Sequence, residues 1–138
     1  QQRITSLGIQ DQVEFLGRLT EAQMVAELCR AHVFAIASLV ENSPNSLCEA
    51  QLMGLPCVAS YVGGIPSLVE GGKTGLFFPP GDAVLLAECI REIFTNDDFS
   101  RDLGMQARQT ALKRHDHKLI METVIETYKA VIRENQNS

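Results

Sequence analysis

The sequence predicts an α/β fold: a Rossmann-like parallel sheet of about four strands with helices on both faces. Two observations predict it. Short apolar runs alternate with segments of helical periodicity, and the connections between them are short. The run 32–37, HVFAIA, is apolar from Val33 onward, which is typical of a strand buried on both faces of a sheet. The length of 138 residues suits one core, so we expect residues 1–138 to form a single domain.

The predicted strands are short apolar runs bounded by turn-forming or helical segments. They are VEFLG (13–17), HVFAIA (32–37), PCVAS (56–60) and GLFF (75–78). The segment YVGGIP after the third run predicts a turn, and SLVE (67–70) can make one or two helical turns.

The first two predicted helices have recognisable ends. TEAQ (20–23) fits a capping box, and Met24, Val25 and Leu28 follow it at helical spacing. NSLCEAQLM (45–53) is the second helix, for which Gly54 is a suitable stop.

The last third of the sequence predicts three helices. Asp82 can cap the first of them, and helices over 98–114 and 117–134 follow. Apolar residues at helical spacing define the predicted inner face of the first helix: Ala83, Leu86, Ala87, Ile90 and Phe94. A second apolar stripe runs along the last helix: Ile120, Val124, Tyr128 and Val131.

Composition and charge exclude several classes of function. The net charge is −5 and the basic residues are dispersed, so we expect no nucleic-acid partner. The four cysteines show no CxxC spacing and no histidines at ligand spacing, which indicates buried thiols rather than a disulfide framework or a metal site. The N-terminus lacks a basic-then-apolar signal pattern, and we expect a cytoplasmic protein.

The stretch ENSPNSLCEA (41–50) is the candidate site, because loops at the carboxyl ends of parallel strands bind ligands. With Ser43 as N-cap and Pro44 as the first helical residue, the next three backbone amides would be free at a helix N-terminus. Those amides belong to Asn45, Ser46 and Leu47. Free amides and the positive end of the helix dipole favour an anion such as a diphosphate.

Two glutamates flank this predicted anion site. Glu41 precedes the helix and Glu49 lies about one turn into it. A carboxylate can accept hydrogen bonds from both hydroxyls of a diol, so the pair suits the ribose and the sugar of a nucleotide-sugar. Ordinary helix capping would explain the same residues, and the pattern alone leaves both interpretations open.

A longer series of motifs resembles the signature region of the family 4 (group 1) glycosyltransferases. The segment ENSPNSLCEAQLMGLPCVASYVGGIPSLVEGGKTGLFFPPGD matches the order E-x7-E, EAMxxGxPVVA, GG-x-x-E-x-V and G-x-x-G-x-L, and the match extends along nearly the whole chain. The resemblance implies a fragment of the C-terminal, donor-binding domain of a retaining transferase of the GT-B fold. It also implies a role in polysaccharide biosynthesis.

The resemblance also implies roles for individual residues. Glu41 matches the catalytic glutamate that contacts the donor sugar, and Glu49 matches the one that holds the ribose hydroxyls. The backbone amides of Asn45, Ser46 and Leu47 match positions that meet the sugar and the diphosphate.

Further positions match the family pattern less closely. Gly17 and Arg18 fall on the loop that contacts the base. Pro44 stands where relatives often have glycine, which removes one backbone donor, and Ser67 replaces a common acidic residue. The pair Gly63–Gly64 matches a glycine pair that serves either a tight turn requiring positive φ or a close approach to a ligand.

The resemblance sets expectations for substrates and partners. The donor would be a UDP-, GDP- or ADP-sugar, with no cofactor and no metal. The acceptor, a glycan or a lipid-linked molecule, would bind through an N-terminal domain that this chain lacks. We therefore expect the full-length parent to be an active hexosyltransferase and the isolated chain to be inactive. Peripheral attachment of the parent to the inner membrane stays an open alternative.

Other interpretations stay open beside this one. A flavodoxin-like module without catalysis, or a fragment of a GT-B-like phosphorylase or epimerase, would share the diphosphate chemistry. In the family the sheet order is 3-2-1-4-5-6, and the four predicted strands correspond to 3, 4, 5 and 6. Strand 32–37 would then be an apolar sheet edge, and we expect a homodimer to form through it.

Overall fold

The computed structural model describes residues 2–136. These residues divide into two compact units, the first ending at Arg30 and the second beginning at Ala31.

The first unit is helical. It contains α1 (Gln2–Leu7), a 3-10 turn (Gln10–Gln12) and α2 (Glu21–Arg30). The capping box predicted for α2 is confirmed, because the amide of Thr20 donates to Gln23 Oε1 at 2.9 Å and the amide of Gln23 donates to Thr20 Oγ1 at 3.4 Å.

The strand predicted at 13–17 is wrong. These residues form no regular secondary structure, and within the described chain they pair with no strand. A strand is stabilised by ladder hydrogen bonds to a neighbour, so the β-type composition of VEFLG is not sufficient by itself.

The second unit contains a parallel sheet of three strands, β1 (Phe34–Ile36), β2 (Cys57–Ser60) and β3 (Leu76–Phe78), in the order β1–β2–β3. The predicted α/β class with a parallel sheet is confirmed, with three strands in the described chain instead of about four. The adjacency expected for strands 4, 5 and 6 is also confirmed.

Four helices accompany this sheet. They are α3 (Asn45–Leu52), α4 (Ala83–Thr95), α5 (Asp97–Arg114) and α6 (His117–Gln136). Helix α3 packs against β1 and β2, α4 packs against β2 and β3, and α5 packs against α3, α4 and α6. The SLVE segment adds no further helix, since only a 3-10 turn over Ile65–Ser67 forms there.

The core covers both faces of the central strand β2, whose four residues are all buried. Val58 packs in a cluster with Phe78, Ile93 of α4 and Leu103 of α5. Neighbouring strand residues point to opposite faces, so Cys57 lies on the other side, where burial and then the Cys48 thiol of α3 raise the pKa of the Cys57 thiol. Helices therefore flank both faces of the sheet, as predicted.

The edge strand β1 is less buried than its sequence predicts. Ala35 is exposed, and Phe34 and Ile36 are half-buried. The prediction of burial on both faces is therefore wrong, because β1 pairs with β2 along one side only and lies at the margin of the core.

Helix α4 begins as predicted but buries a different face. The Asp82 side chain accepts hydrogen bonds from the amides of Val84 and Leu85 at 3.1 and 3.0 Å, which confirms the N-cap. The predicted inner face is only partly right, since Ala83, Ala87 and Phe94 are exposed. The side chains that face the core are instead Leu86, Cys89, Ile90 and Ile93.

The predicted stripe on α6 lies on one side of that helix and is exposed along its length. Ile120, Val124, Tyr128 and Val131 are 46%, 44%, 67% and 49% exposed. Within the described chain, no helix combines the length and apolar character that crossing a bilayer requires.

Candidate functional site

The candidate site lies at the carboxyl ends of β1 and β2, where two loops meet. The loop 38–44 follows β1 and the loop 61–64 follows β2. Ser60 Oγ donates to the carbonyl oxygen of Ser38 at 2.7 Å, and the amide of Gly64 donates to the carbonyl oxygen of Glu41 at 3.3 Å. The two segments that the sequence places at this edge of the sheet are thus in direct contact.

The glycine pair makes this contact possible. A Cβ on Gly63 would overlap the carbonyl oxygen of Glu41, and a Cβ on Gly64 would overlap that of Asn42. Gly63 also has a φ of +51°, which disfavours other residues. The tight turn with positive φ is confirmed, the close approach observed is to the backbone of the Glu41 loop, and an approach to a ligand stays a prediction.

The Glu41 carboxylate is held by its own loop. The amide of Asn42 donates to Glu41 Oε1 at 2.9 Å, and Ser38 Oγ donates to Oε2 at 3.5 Å. The side chain is half-buried. Each carboxylate oxygen has two acceptor positions, so both retain capacity for a ligand hydroxyl while their orientation is already fixed.

Helix α3 begins at Asn45, as predicted for the segment 45–53, which is one residue later than the capping assignment for the anion site assumed. Pro44, with ψ of 115°, is the N-cap, so the assignment of Ser43 as N-cap and Pro44 as first helical residue is wrong. The carbonyl oxygen of Pro44 accepts the amide of Leu47 at 3.2 Å. The prediction of a free amide is therefore wrong for Leu47, because the first turn of the helix uses it.

Two of the predicted amide donors remain available. In residues 2–136 no acceptor is found for the amides of Asn45 and Ser46. Both lie at the N-terminus of α3, where the helix dipole adds partial positive charge. This terminus can bind an anion without a cationic side chain.

Glu49 is exposed and lies on the same side of α3 as Asn45, one turn further along. Its neighbours Cys48 and Ala50 are buried. No side-chain partner for Glu49 is found among the residues that the structure describes. Glu41 thus lies in the loop before α3 and Glu49 one turn into that helix, and their joint contact with a ligand stays a prediction.

Gly17 and Arg18 belong to the first compact unit. Gly17 has a φ of +64°, with open space where a Cβ would lie, and Arg18 is exposed. Their contact with a base stays a prediction.

Sequence reasoning missed Gln51, a polar residue buried on the far side of α3 at 1% exposure. It also missed Arg114, which reaches Gln51 from the end of α5. Their separation of 63 positions gives no local signal. The position of Gln51 in LCEAQLM could have indicated its burial. It follows Glu49 by two residues and therefore lies on the opposite side of the helix.

Comparison with known proteins gives a family match and a set of relatives. The family profile described as "Glycosyl transferases group 1" matches residues 1–96. N-acetyl-alpha-D-glucosaminyl L-malate synthase of Bacillus anthracis is 29% identical over 137 residues, which is 99% of this chain and 35% of that protein. D-inositol 3-phosphate glycosyltransferase of Corynebacterium diphtheriae is 32% identical over 106 residues, 77% of this chain and 25% of that protein.

Solved structures of similar proteins share the fold of this chain. Sucrose-phosphate synthase from Thermosynechococcus elongatus superposes with a TM-score of 0.84 at 26% identity, covering 96% of this chain and 33% of that one. Anabaena HepE in complex with UDP superposes with a TM-score of 0.83 at 30% identity, covering 94% and 35%. HepE has also been solved with UDP-glucose. The chain thus spans about a third of the length of these relatives.

Proposed function

The chain belongs to the group 1 glycosyltransferases, and on that premise we propose that it is the donor-binding part of an enzyme that transfers a sugar from a nucleotide-sugar. Its fold matches that of GT-B transferases. HepE, which is 30% identical, binds UDP. The observation that carries the proposal is the α3 N-terminus, with two available amides between two carboxylates.

The amides of Asn45 and Ser46 would bind the diphosphate of the donor. A diphosphate gains from both the N–H donors and the helix dipole, so this part of the site requires no lysine or arginine of its own. The amides also supply fixed dipoles where negative charge develops on the departing diphosphate during transfer.

The two glutamates would divide the remaining contacts. Glu49, one turn along α3, would accept hydrogen bonds from the ribose hydroxyls. Glu41 would contact the donor sugar, where its carboxylate is already oriented by the amide of Asn42. A side chain held in its binding orientation loses little conformational freedom when the sugar arrives.

The proposal extends to the complete enzyme. Transfer would proceed with retention of configuration, with a UDP-, GDP- or ADP-sugar as donor and without a metal or another cofactor. A glycan or lipid-linked acceptor would bind through the rest of the protein, in polysaccharide biosynthesis. The 138 residues alone would then bind donor at most and not transfer it.

A thermal-shift panel of UDP-, GDP- and ADP-glucose on the complete transferase tests this proposal. A donor at a hundredfold over its dissociation constant stabilises the protein by about 2.7 kcal/mol, which is a readily measured shift. The expected result is a shift with one base and a smaller one with the others. The absence of a shift with every donor would overturn the proposal and favour a binding module without catalysis.

A further inference from the structure

One side of helix α5 is built for close packing against α3. Gly104, Ala107 and Ala111 recur at helical spacing along it and are buried. A Cβ on Gly104 would overlap the carbonyl oxygen of Gly54, in the turn that follows α3. Small residues therefore let the two helices approach until their backbones are in contact.

Arg114 continues this same side, three residues after Ala111. Its guanidinium donates from Nη2 to Gln51 Oε1 at 2.6 Å and from Nη1 to the carbonyl oxygen of Leu68 at 3.1 Å. Its Nη2 also lies 3.8 Å from Cys48 Sγ. The arginine thus reaches from the end of α5 to α3 and to the segment after β2.

Gln51 closes the arrangement into a triangle. Its Nε2 donates to the carbonyl oxygen of Leu68 at 2.9 Å, so that Leu68 accepts from both Gln51 and Arg114. No carboxylate pairs with Arg114 within the described residues. The contacts use the forked geometry of the guanidinium against neutral acceptors rather than charge pairing, a geometry that lysine cannot reproduce.

The two elements joined by Arg114 are those that form the candidate site. Helix α3 carries Glu49 and the amides of Asn45 and Ser46. The segment ending at Leu68 begins with the glycine pair, whose Gly64 amide binds the carbonyl oxygen of Glu41. Rotation of α3, or withdrawal of this segment, would move Glu41 relative to Glu49 and the α3 amides.

We propose that Arg114 is a positioning residue for donor binding, which fixes the orientation of α3 and the glycine segment from behind the site. This inference rests on the proposed function. Arg114 lies on the opposite side of α3 from Glu49, and it acts through Gln51 and Leu68.

The test compares Arg114→Gln and Arg114→Lys with Arg101→Gln in the complete transferase. Arg101 is a matched control, since it lies on the same helix, is 65% exposed and pairs only with Asp98 in the described structure. The first readout is hydrogen exchange of the α3 amides. We expect exchange about tenfold faster in Arg114→Gln, an intermediate increase in Arg114→Lys, and wild-type exchange in the control.

The second readout is steady-state kinetics with the nucleotide-sugar. Arg114→Gln should raise the KM for donor by about tenfold and change kcat by less than about twofold, with a smaller rise for Arg114→Lys. A general loss of folded enzyme would lower the apparent kcat and leave KM unchanged, so the KM–kcat split separates positioning from stability.

The outcomes separate the two proposals. If the wild-type enzyme shows neither a thermal shift nor turnover with any donor, the proposed function fails. If hydrogen exchange of the α3 amides is unchanged in Arg114→Gln, the positioning role alone is overturned. Faster exchange with an unchanged KM also overturns it, because the contacts would then not matter for the donor. If Arg114→Gln does not fold, Arg114→Lys decides: wild-type exchange and KM in that variant would refute the proposal.

Discussion

Substitution of Gly64 by alanine tests whether the glycine segment shapes the Glu41 loop. Gly64 has a φ of −86°, which alanine adopts without strain. The added Cβ would overlap the carbonyl oxygen of Asn42 and lie 3.4 Å from its Oδ1. The first of these is a backbone atom that no rotamer change can move, so the two loops must separate and the Gly64–Glu41 hydrogen bond must lengthen.

The expected loss of stability follows from two opposing terms. Overpacking of this kind costs about 1–3 kcal/mol, and a backbone obstacle favours the upper end. Replacing glycine by alanine restricts the unfolded chain and offsets about 0.4–1 kcal/mol. We therefore expect Gly64→Ala to lower the free energy of unfolding by about 2 kcal/mol.

Urea denaturation measures this change, with Gly71→Ala as control. Gly71 is exposed and lacks a positive φ, and its Cβ would meet only the Phe77 ring at 3.2 Å, which can turn aside. Donor binding should weaken in Gly64→Ala and not in the control. Equal unfolding midpoints for the two variants would refute the reasoning, since the overlap with Asn42 would then carry no cost.

The roles of the two glutamates, the cap of α4 and the burial of the Cys57 thiol can each be tested by substitution or labelling. Measured by calorimetry, Glu49→Ala should weaken the binding of nucleoside diphosphate and of nucleotide-sugar alike, by about 1.5–3 kcal/mol. Glu41→Ala should leave the binding of the diphosphate unchanged and lower the rate of sugar transfer. If both substitutions weakened diphosphate binding equally, these roles would be contradicted. Asp82→Ala should lower the free energy of unfolding by about 1 kcal/mol, and an unchanged urea midpoint would mean that the cap contributes nothing. Burial raises the pKa of the Cys57 thiol from 9.0 to about 12, so stability should fall as pH rises between these values, because the unfolded chain loses this proton first. At pH 8, a thiol reagent should label exposed Cys29 at once and Cys57 only on unfolding; fast native labelling of Cys57 would contradict this.

The α/β class and the features that depend on neighbouring residues could be predicted from the sequence alone. The Thr20–Gln23 capping box, the Asp82 cap and the stop at Gly54, with a φ of +78°, form as predicted. Each depends on residues within about one helical turn, and such contacts form wherever the helix forms.

Features that depend on a partner distant in sequence could be assigned only from the folded structure. VEFLG has the composition of a strand, but a strand requires a neighbour to pair with. The buried face of α4 is set by the sheet and α5, which select Ile93 and leave Phe94 exposed. Periodicity shows that one face is apolar, but neighbouring phases of the pattern differ too little for the sequence alone to choose between them.

The same limit applies to the candidate site. The sequence placed two carboxylates beside a helix start, but only the fold brings Gly64 against Glu41 and Arg114 against Gln51. The second pair is separated by 63 positions, and its contact depends on the close approach of α3 and α5 that Gly104 permits. The site residues could therefore be predicted from the sequence. The contacts that orient them come from packing between distant segments, and such contacts leave no local sequence pattern.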